Sequence, residues 1–274
     1  MNKYVRAVLH LARALATSPV EAATRTVWSL PFACAAGRFA RRYTDRAPSP
    51  LAAPKPPAEN VLADFFQART SGRGVWKWEH YFDAYHRHLS RFVGRPVHLL
   101  EIGIYSGGSL EMWRAYLGAD CRITGVDVEP ACKAYEDERT SVLIGDQADR
   151  EFWRRAAAGL GGLDVVVDDG GHTPEQQQAT LEELLPLLRP GGVFICEDVH
   201  GTTNRFAAYA AGLVDELNRA DYTTTRPPQC AVSGFQAAIH SIHFYPFMVV
   251  IEKHDRPPER LVAPKHGTEW QPFL

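Results

Sequence analysis

From about residue 60 onward, stretches with apolar residues at helical spacing alternate with short apolar runs, the pattern of an α/β sheet. The pattern predicts a helix over residues 78–92, a strand over 97–102 and a helix over 109–117. Strands over 122–126 and 141–144 follow, the latter leading through Gly145 to a helix that starts near Asp149. Next come a strand over 163–167, a helix over 174–188 and a strand over 193–196, with Gly191 and Gly192 punctuating the last turn. Two β-rich runs, 238–244 and 247–252, are separated only by Tyr245 and Pro246 and read as a closing hairpin. The expected fold class is therefore α/β, with a doubly wound, mostly parallel sheet and a C-terminal antiparallel hairpin.

The first 60 residues have a different character. Lys3, Arg6, His10 and Arg13 recur at helical spacing opposite Val5, Val8, Leu9, Ala12 and Leu15, which predicts an amphipathic helix. Three readings fit it: packing on the body of the protein or on another copy in a homo-oligomer, contact with a membrane surface, or targeting. His10 and Arg13 interrupt the apolar run, which disfavours a secretory signal. Residues 47–58 hold five prolines in twelve positions and favour an extended spacer. The expected organisation is a basic helical segment over 1–46, a proline-rich linker over 47–58 and one catalytic-sized domain over 59–274.

Charge sharpens that division. Residues 1–60 carry nine Lys/Arg against three Asp/Glu, while the formal charge of the whole 274-residue chain is −2. That balance gives no global reason to expect nucleic acid. An apolar fraction of 45% with 23% charged residues excludes collagen-like, coiled-coil and wholly disordered chains. No run approaches the roughly 18 apolar residues of a membrane span. The cysteines Cys34, Cys121, Cys132, Cys196 and Cys230 are odd in number and never form a CxxC pair, so a reducing cytoplasm is expected.

Candidate chemistry sits at the carboxyl ends of the predicted strands. The first ends in LLEIGIYSGGSLEMW, where Gly103, Gly107 and Gly108 occupy the turn into a helix and permit close approach of a ligand to backbone. The spacing is E-x-G-x-x-x-G rather than G-x-G-x-x-G, which weighs against a pyrophosphate ligand. The second strand ends at Asp127, where a carboxylate can accept hydrogen bonds from two ribose hydroxyls. Asp146 and Gln147, after the third, are placed to hold an adenine edge.

Two further segments, LDVVVDDGGHTPEQQ and PGGVFICEDVHG, deliver Asp168, Asp169, Glu197 and Asp198 to neighbouring strand ends. Four carboxylates that close raise one another's pKa unless a cation intervenes. An all-oxygen donor set favours Mg²⁺, Mn²⁺ or Ca²⁺ over zinc. His172 follows Asp169 by three residues, beyond Gly170 and Gly171, which are expected to leave space for substrate; an imidazole there suits removal of a hydroxyl proton. His200 and His243 are weaker candidates, and Phe206, Tyr209, Tyr222 and Phe235 are available for stacking on an acceptor.

The order of these stations over residues 97–198 resembles the class I S-adenosylmethionine-dependent methyltransferases, whose sheet is Rossmann-like. The resemblance implies that Glu101, Gly103, Ser106 and Gly107 approach the methionine part of the cofactor, Asp127 the ribose, and Asp146 with Gln147 the adenine. DDGGH at 168–172, RPGGVFICEDVHG at 189–201, SIHFYPFMVVIEK at 241–253 and KWEHYFDAYHRHL at 77–89 narrow it to the metal-dependent sugar O-methyltransferases of macrolide biosynthesis, the mycinamicin type, and their cephalosporin-hydroxylase-like relatives. Carried onto this chain, Asp169, Glu197 and Asp198 are the Mg²⁺ ligands, His172 is the base, and Asp168 lies toward the cofactor. The expected acceptor is a sugar hydroxyl of a glycosylated natural product, glycolipid or polysaccharide. Residues 1–60 match nothing in that family. The rival expectations are a phenolic O-methyltransferase, an iron- and oxygen-dependent hydroxylase on the same scaffold, and a non-catalytic binding protein that keeps the nucleotide fold.

Overall fold

The computed structural model describes residues 3–17, 20–43, 60–200, 204–219, 229–264 and 266–267. The chain divides into two compact units, Met1–Ala58 and Glu59–Leu274. The proline-rich stretch 47–58 lies outside the described residues. In the first unit, α1 (Lys3–Thr17) is the amphipathic helix read from the sequence, with Val5, Val8, Leu9 and Leu11 exposed. It is followed by a helix the pattern did not announce, α2 (Val20–Arg41), which carries Pro31 inside and Arg38 and Arg41 in its last turn. Among the described residues, no helix is long and apolar enough to cross a membrane.

The second unit opens with α3 (Val61–Ala68), whose first turn is capped by the Asn60 side chain, and α4 (Tyr81–Leu89). It continues β1 (His98–Ile102), α5 (Gly108–Leu117), β2 (Arg122–Asp127), β3 (Thr140–Ile144), α6 (Arg150–Leu160), β4 (Leu163–Asp168), α7 (Pro174–Leu184) and β5 (Leu188–Cys196). The chain then forms α8 (Phe206–Leu217), β6 (Gln229–Ala231), α9 (Gly234–Ala238), β7 (Ile239–Tyr245), β8 (Met248–Lys253) and β9 (Arg260–Val262). Seven strands form one sheet in the order β3-β2-β1-β4-β5-β8-β7, and β6 pairs with β9 apart from it. Strands β1 to β5 are parallel and β8 and β7 antiparallel, so the doubly wound sheet with its terminal hairpin is present.

Strand alternation splits the core between the two faces. Leu99, Val165, Val167, Val193 and Ile195 pack with Tyr81, Tyr85, Trp113 and Leu117 on one side, the side of α3, α4 and α5. Leu100, Val166, Phe194 and Ile251 pack with Trp153, Leu181, Leu184 and Phe206 of α6, α7 and α8 on the other. Each face buries an apolar layer, which is why the central strands read as continuous apolar runs.

Helix α7, strand β5 and helix α4 each have a boundary that differs from the pattern by three residues or more, each for a local reason. Helix α7 stops at Leu184 and gives way to a 3-10 turn at Leu185–Leu187, because Pro186 lacks the N–H that a continuing helix needs. Strand β5 begins at Leu188 and runs through Gly191 and Gly192, where its pairing with β4 shifts register between Leu163 and Val165. Helix α4 starts at Tyr81 rather than Trp78, because a turn at Glu79 and His80, closed by the Tyr81 N–H on the Trp78 carbonyl at 3.0 Å, precedes it.

Candidate active site

The order of strands reverses at β1, whose neighbours are β2 on one side and β4 on the other, and a doubly wound sheet binds ligands at such a switch point. Register pairs Ile102 with Asp168 and Asp168 with Cys196, so Gly103, Asp169 and Glu197 stand side by side just past three strand ends. A cleft of about 710 Å³ opens there, lined from the sheet by Gly103, Ser106, Asp127, Asp169, His172 and Asp198 and walled by Trp76, Lys77 and Trp78. That volume is ordinary for a cofactor or small-molecule site.

Gly103 cannot be replaced without moving the β4 turn. Its φ is +81°, and a Cβ there would stand 2.0 Å from the Asp169 carbonyl oxygen. The glycines of the DDGGH turn line the cleft and also do a second job. A Cβ on Gly170 would meet Gln147 Oε1 at 1.9 Å, and one on Gly171 would meet the Gln176 amide at 2.3 Å. Their missing side chains seat two amides that hold the turn: Gln147 Oε1 accepts from Gly171 N at 2.6 Å, and Thr173 with Gln176 forms the capping box of α7. His172 is thereby fixed at the mouth of that helix.

Among the described residues, four that are not glycine have left-handed backbone: Tyr105 (φ 42°), His172 (φ 56°), Asp198 (φ 52°) and Phe247 (φ 62°). Tyr105, His172 and Asp198 line the cleft, and the Phe247 ring stands 5.5 Å from Trp78 and 4.9 Å from His200. Strain of this kind costs on the order of 1–3 kcal/mol per residue and collects where function requires it.

The acidic residues divide into two groups. Asp169, His172 and Asp198 have ligand atoms within 4.8 Å of one another, so they form a possible cation cluster facing the cleft. His172 Nε2 lies 3.5 Å from Asp198 Oδ2, and its Nδ1 is buried without a hydrogen-bond partner among the described residues. Asp198 Oδ1 accepts from Trp78 Nε1 at 2.9 Å and from the Tyr81 hydroxyl at 3.0 Å. Glu197 turns the other way: its carboxylate accepts from the Tyr85 hydroxyl at 2.6 Å and from Lys77 Nζ at 3.0 and 3.1 Å. The structure thus brings Asp169 and Asp198 together with His172, while Glu197, expected beside them, is engaged with Lys77 and Tyr85. Lys77 also reaches Asp169 at 2.7 Å and is held firmly charged, because three surrounding carboxylates outweigh its burial.

Lys77, Trp78, Tyr81 and Tyr85 are the participants that sequence reasoning did not single out. Their signal was the segment KWEHYFDAYHRHL, whose likeness to the family's leading segment carried no role for any residue.

The expected cofactor residues are distributed unevenly. Gly103, Ser106, Asp127 and Gln147 line the cleft. Asp127 is half-buried and already accepts from the backbone N–H groups of Tyr105 and Glu129, both at 3.0 Å, so it also shapes the turn beside it. Gly107 caps α5 and is not among the lining residues. Glu101 is fully buried behind the cleft, accepting from Ser109 Oγ at 2.7 Å, and burial raises its pKa. Asp146 is exposed and accepts from Ala148 N, while its neighbour Gly145 lines the cleft. Both N–H groups of the Gln147 amide are spent inside the protein, on Asp168 and Thr180, and its oxygen accepts from Gly171 N.

Asp168 is 1% exposed, and burial pushes its carboxyl up to about 7. A group whose folded pKa is raised contributes stability that is complete below its unfolded value, near 4, and is lost as pH rises through about 7. Three units correspond to about 4 kcal/mol. Asp168→Asn is therefore expected to melt higher than the wild type, with a gap that widens from pH 5 to pH 8. Thermal melts in chelator at the two pH values check this; an equal gap would show that Asp168 ionises freely.

Of the weaker candidates, His200 lines the cleft 3.4 Å from Asp198 Oδ1. His243 belongs instead to a cluster with His88 and Glu252, and Glu252 pairs with Val193 well back along β5 from the cleft. Phe206 is buried in the core, the Tyr209 hydroxyl donates to Glu182, and Phe235 packs against the same core; none of the three lines the cleft. Tyr222 lies outside the described residues.

The parallel sheet with this switch point, a glycine turn against β4 and an acidic β2 end is of the Rossmann-like, doubly wound class, and residues 100–199 match the family model described as a methyltransferase domain. Among individual relatives, the chain is 34% identical over 202 residues to the 8-demethyl-8-(2-methoxy-α-L-rhamnosyl)-tetracenomycin-C 3'-O-methyltransferase of Streptomyces olivaceus, covering 66% of this chain and 50% of that protein. It is 36% identical over 123 residues to the mycinamicin VI 2''-O-methyltransferase of Micromonospora griseorubida, covering 42% of this chain and 30% of that protein. A methyltransferase of the mycinamycin biosynthetic pathway, solved with Mg, SAH and mycinamycin VI, shares the fold with a TM-score of 0.59 at 24% identity, over 73% of this chain and 55% of that one. The chain spans about half the length of the first two curated relatives it matches.

Proposed function

We propose that this protein is an S-adenosylmethionine-dependent, Mg²⁺-dependent O-methyltransferase that acts on a sugar hydroxyl of a glycosylated small molecule or saccharide. The observation that carries the reading is the Asp169–His172–Asp198 cluster beside the Gly103 turn, a cation-binding set and a proton acceptor in one cleft with a nucleotide-type switch point. The relatives named above are sugar O-methyltransferases, and the solved neighbour holds Mg and SAH, which supports the same donor and cation here. The residues fit both groups: Gly103, Ser106 and Asp127 present a turn and a carboxylate to the cofactor, and the Asp169–Asp198 pair offers hard oxygen donors to the ion.

When bound, the cofactor supplies an electrophilic methyl group and the ion acidifies and orients the acceptor hydroxyl. The protein's own part is placement and proton transfer. His172 Nε2 takes the hydroxyl proton; at 3.5 Å from Asp198 it is near enough for the carboxylate to stabilise the imidazolium, yet too far to be tied up in a strong hydrogen bond. Asp198 is steadied by Trp78 and Tyr81, so the ring it orients has a fixed neighbour. Trp76, 89% exposed, and Trp78 present apolar faces at the cleft mouth on which an acceptor can lie. Holding two reactants in line itself removes several kcal/mol of barrier.

Incubating a pool of glycosides with methyl-labelled S-adenosylmethionine and Mg²⁺, followed by mass spectrometry, tests the reading. The expected result is gain of one labelled methyl on a sugar. Labelling of a phenol instead, or undiminished labelling in excess chelator, would replace it with the phenolic or the metal-free alternative.

A further inference from the structure

The acidic end of the sheet contains a cation of its own. Lys77, its side chain 2% exposed, lies 2.7 Å from Asp169 Oδ2, 3.0 Å from Glu197 Oε2 and 3.6 Å from Glu101 Oε1. The three carboxylates come from the ends of adjacent strands β1, β4 and β5, so one ammonium, with three donors, faces all three. Asp169 is common to both groups, accepting from Lys77 and belonging also to the cluster with His172 and Asp198. A permanent positive charge therefore sits one carboxylate away from the place where a divalent ion would be held.

We propose that Lys77 is a positioning residue that serves as a fixed internal cation, sharing Asp169 and Glu197 with the divalent ion, weakening that ion's hold and confining it to the Asp198 and His172 side of the cleft. The proposal rests on the metal-dependent reading above. Like charges a few ångström apart in a poorly solvated site repel strongly, so an ion beside Lys77 is bound less tightly than the four carboxylates Glu101, Asp169, Glu197 and Asp198 alone would bind it. The same repulsion closes the Glu101 side, where an ion would be remote from the imidazole that takes the proton. A lysine that only anchored the segment before α4 would have no such effect on ion affinity.

Calorimetric titration of the full chain with Mn²⁺ alone separates these roles. Lys77→Met is expected to bind Mn²⁺ at least tenfold more tightly than the wild type, while Lys77→Arg, which keeps the charge, stays within about threefold of it. Asp198→Asn is expected to lose Mn²⁺ in the wild-type background but to keep one ion when combined with Lys77→Met, because the ion can then move among Asp169, Glu197 and Glu101. Equal or weaker Mn²⁺ affinity in Lys77→Met overturns the proposal, and so does loss of the ion from the double variant. If Lys77→Met unfolds in chelator, Mn²⁺ is expected to restore its cooperative melt by filling the place of the ammonium; failure to do so, with no tighter binding in Lys77→Gln, overturns it as well. Absence of Mn²⁺ binding in both wild type and Lys77→Met would remove the metal-dependent reading itself. Binding in Lys77→Met alone would overturn the shared arrangement, because Lys77 would then replace the ion rather than confine it.

Discussion

His172→Asn is expected to slow methyl transfer by roughly 10²- to 10⁴-fold, the usual contribution of a positioned general base. Asparagine is the informative replacement because residue 172 has a φ of 56°, a left-handed conformation that asparagine and histidine tolerate better than alanine. The new side chain cannot accept a proton near neutrality. Raising the pH is expected to recover part of the loss, since the acceptor hydroxyl then ionises without help. Mn²⁺ and S-adenosylmethionine affinities, read by calorimetry, should stay within about threefold of wild type. A large drop in Mn²⁺ affinity would instead make His172 a ligand, a role its presence in the Asp169–His172–Asp198 cluster leaves chemically open. Full activity at neutral pH would remove it from the chemistry.

Much of the frame was legible because a parallel strand buried on both faces writes itself as an apolar run ending in a polar residue. Val165, Val166 and Val167 alternate between the two core layers and deliver Asp168 and Asp169 to the strand end; Phe194, Ile195 and Cys196 do the same for Glu197. What the pattern could not carry is the direction in which each carboxylate points. Asp168 and Asp169 are neighbours in sequence, yet one is sealed against Gln147 and the other faces Lys77 and the cleft. Glu197 and Asp198 diverge likewise, toward Tyr85 and toward Trp78 with Tyr81.

The partners that decide the directions of Asp169, Glu197 and Asp198 come from residues 77–85, roughly 90 to 120 positions away in the chain. No local periodicity encodes such a contact. Lys77 reads in sequence as an ordinary charged residue ahead of a helix, and only the fold reveals that its ammonium is buried among acids. Gln147 shows the converse case. Its position after β3 was right for the cleft, but its amide is consumed by Asp168, Thr180 and Gly171, a demand that arises only when β4 and α7 pack against that turn.

Asp198→Asn is expected to abolish turnover, to less than about a thousandth of wild type, and to behave differently from the His172 variant. The substitution preserves shape, and asparagine is at home at the φ of 52° that residue 198 adopts. The Tyr81 and Trp78 donors keep an oxygen to bind, so the backbone and the cleft wall should survive. What disappears is the negative charge shared by the expected ion and the His172 ring, 3.5 Å away. Calorimetry should therefore show a fall in Mn²⁺ affinity of tenfold or more with S-adenosylmethionine affinity unchanged, and excess Mg²⁺ should restore activity only slightly. Wild-type enzyme stripped by chelator, by contrast, should recover fully on adding Mg²⁺, because its ligand charge is intact. An Asp198→Asn enzyme that turns over normally in chelator would leave His172 and the cofactor sufficient for the reaction and would take the ion out of it.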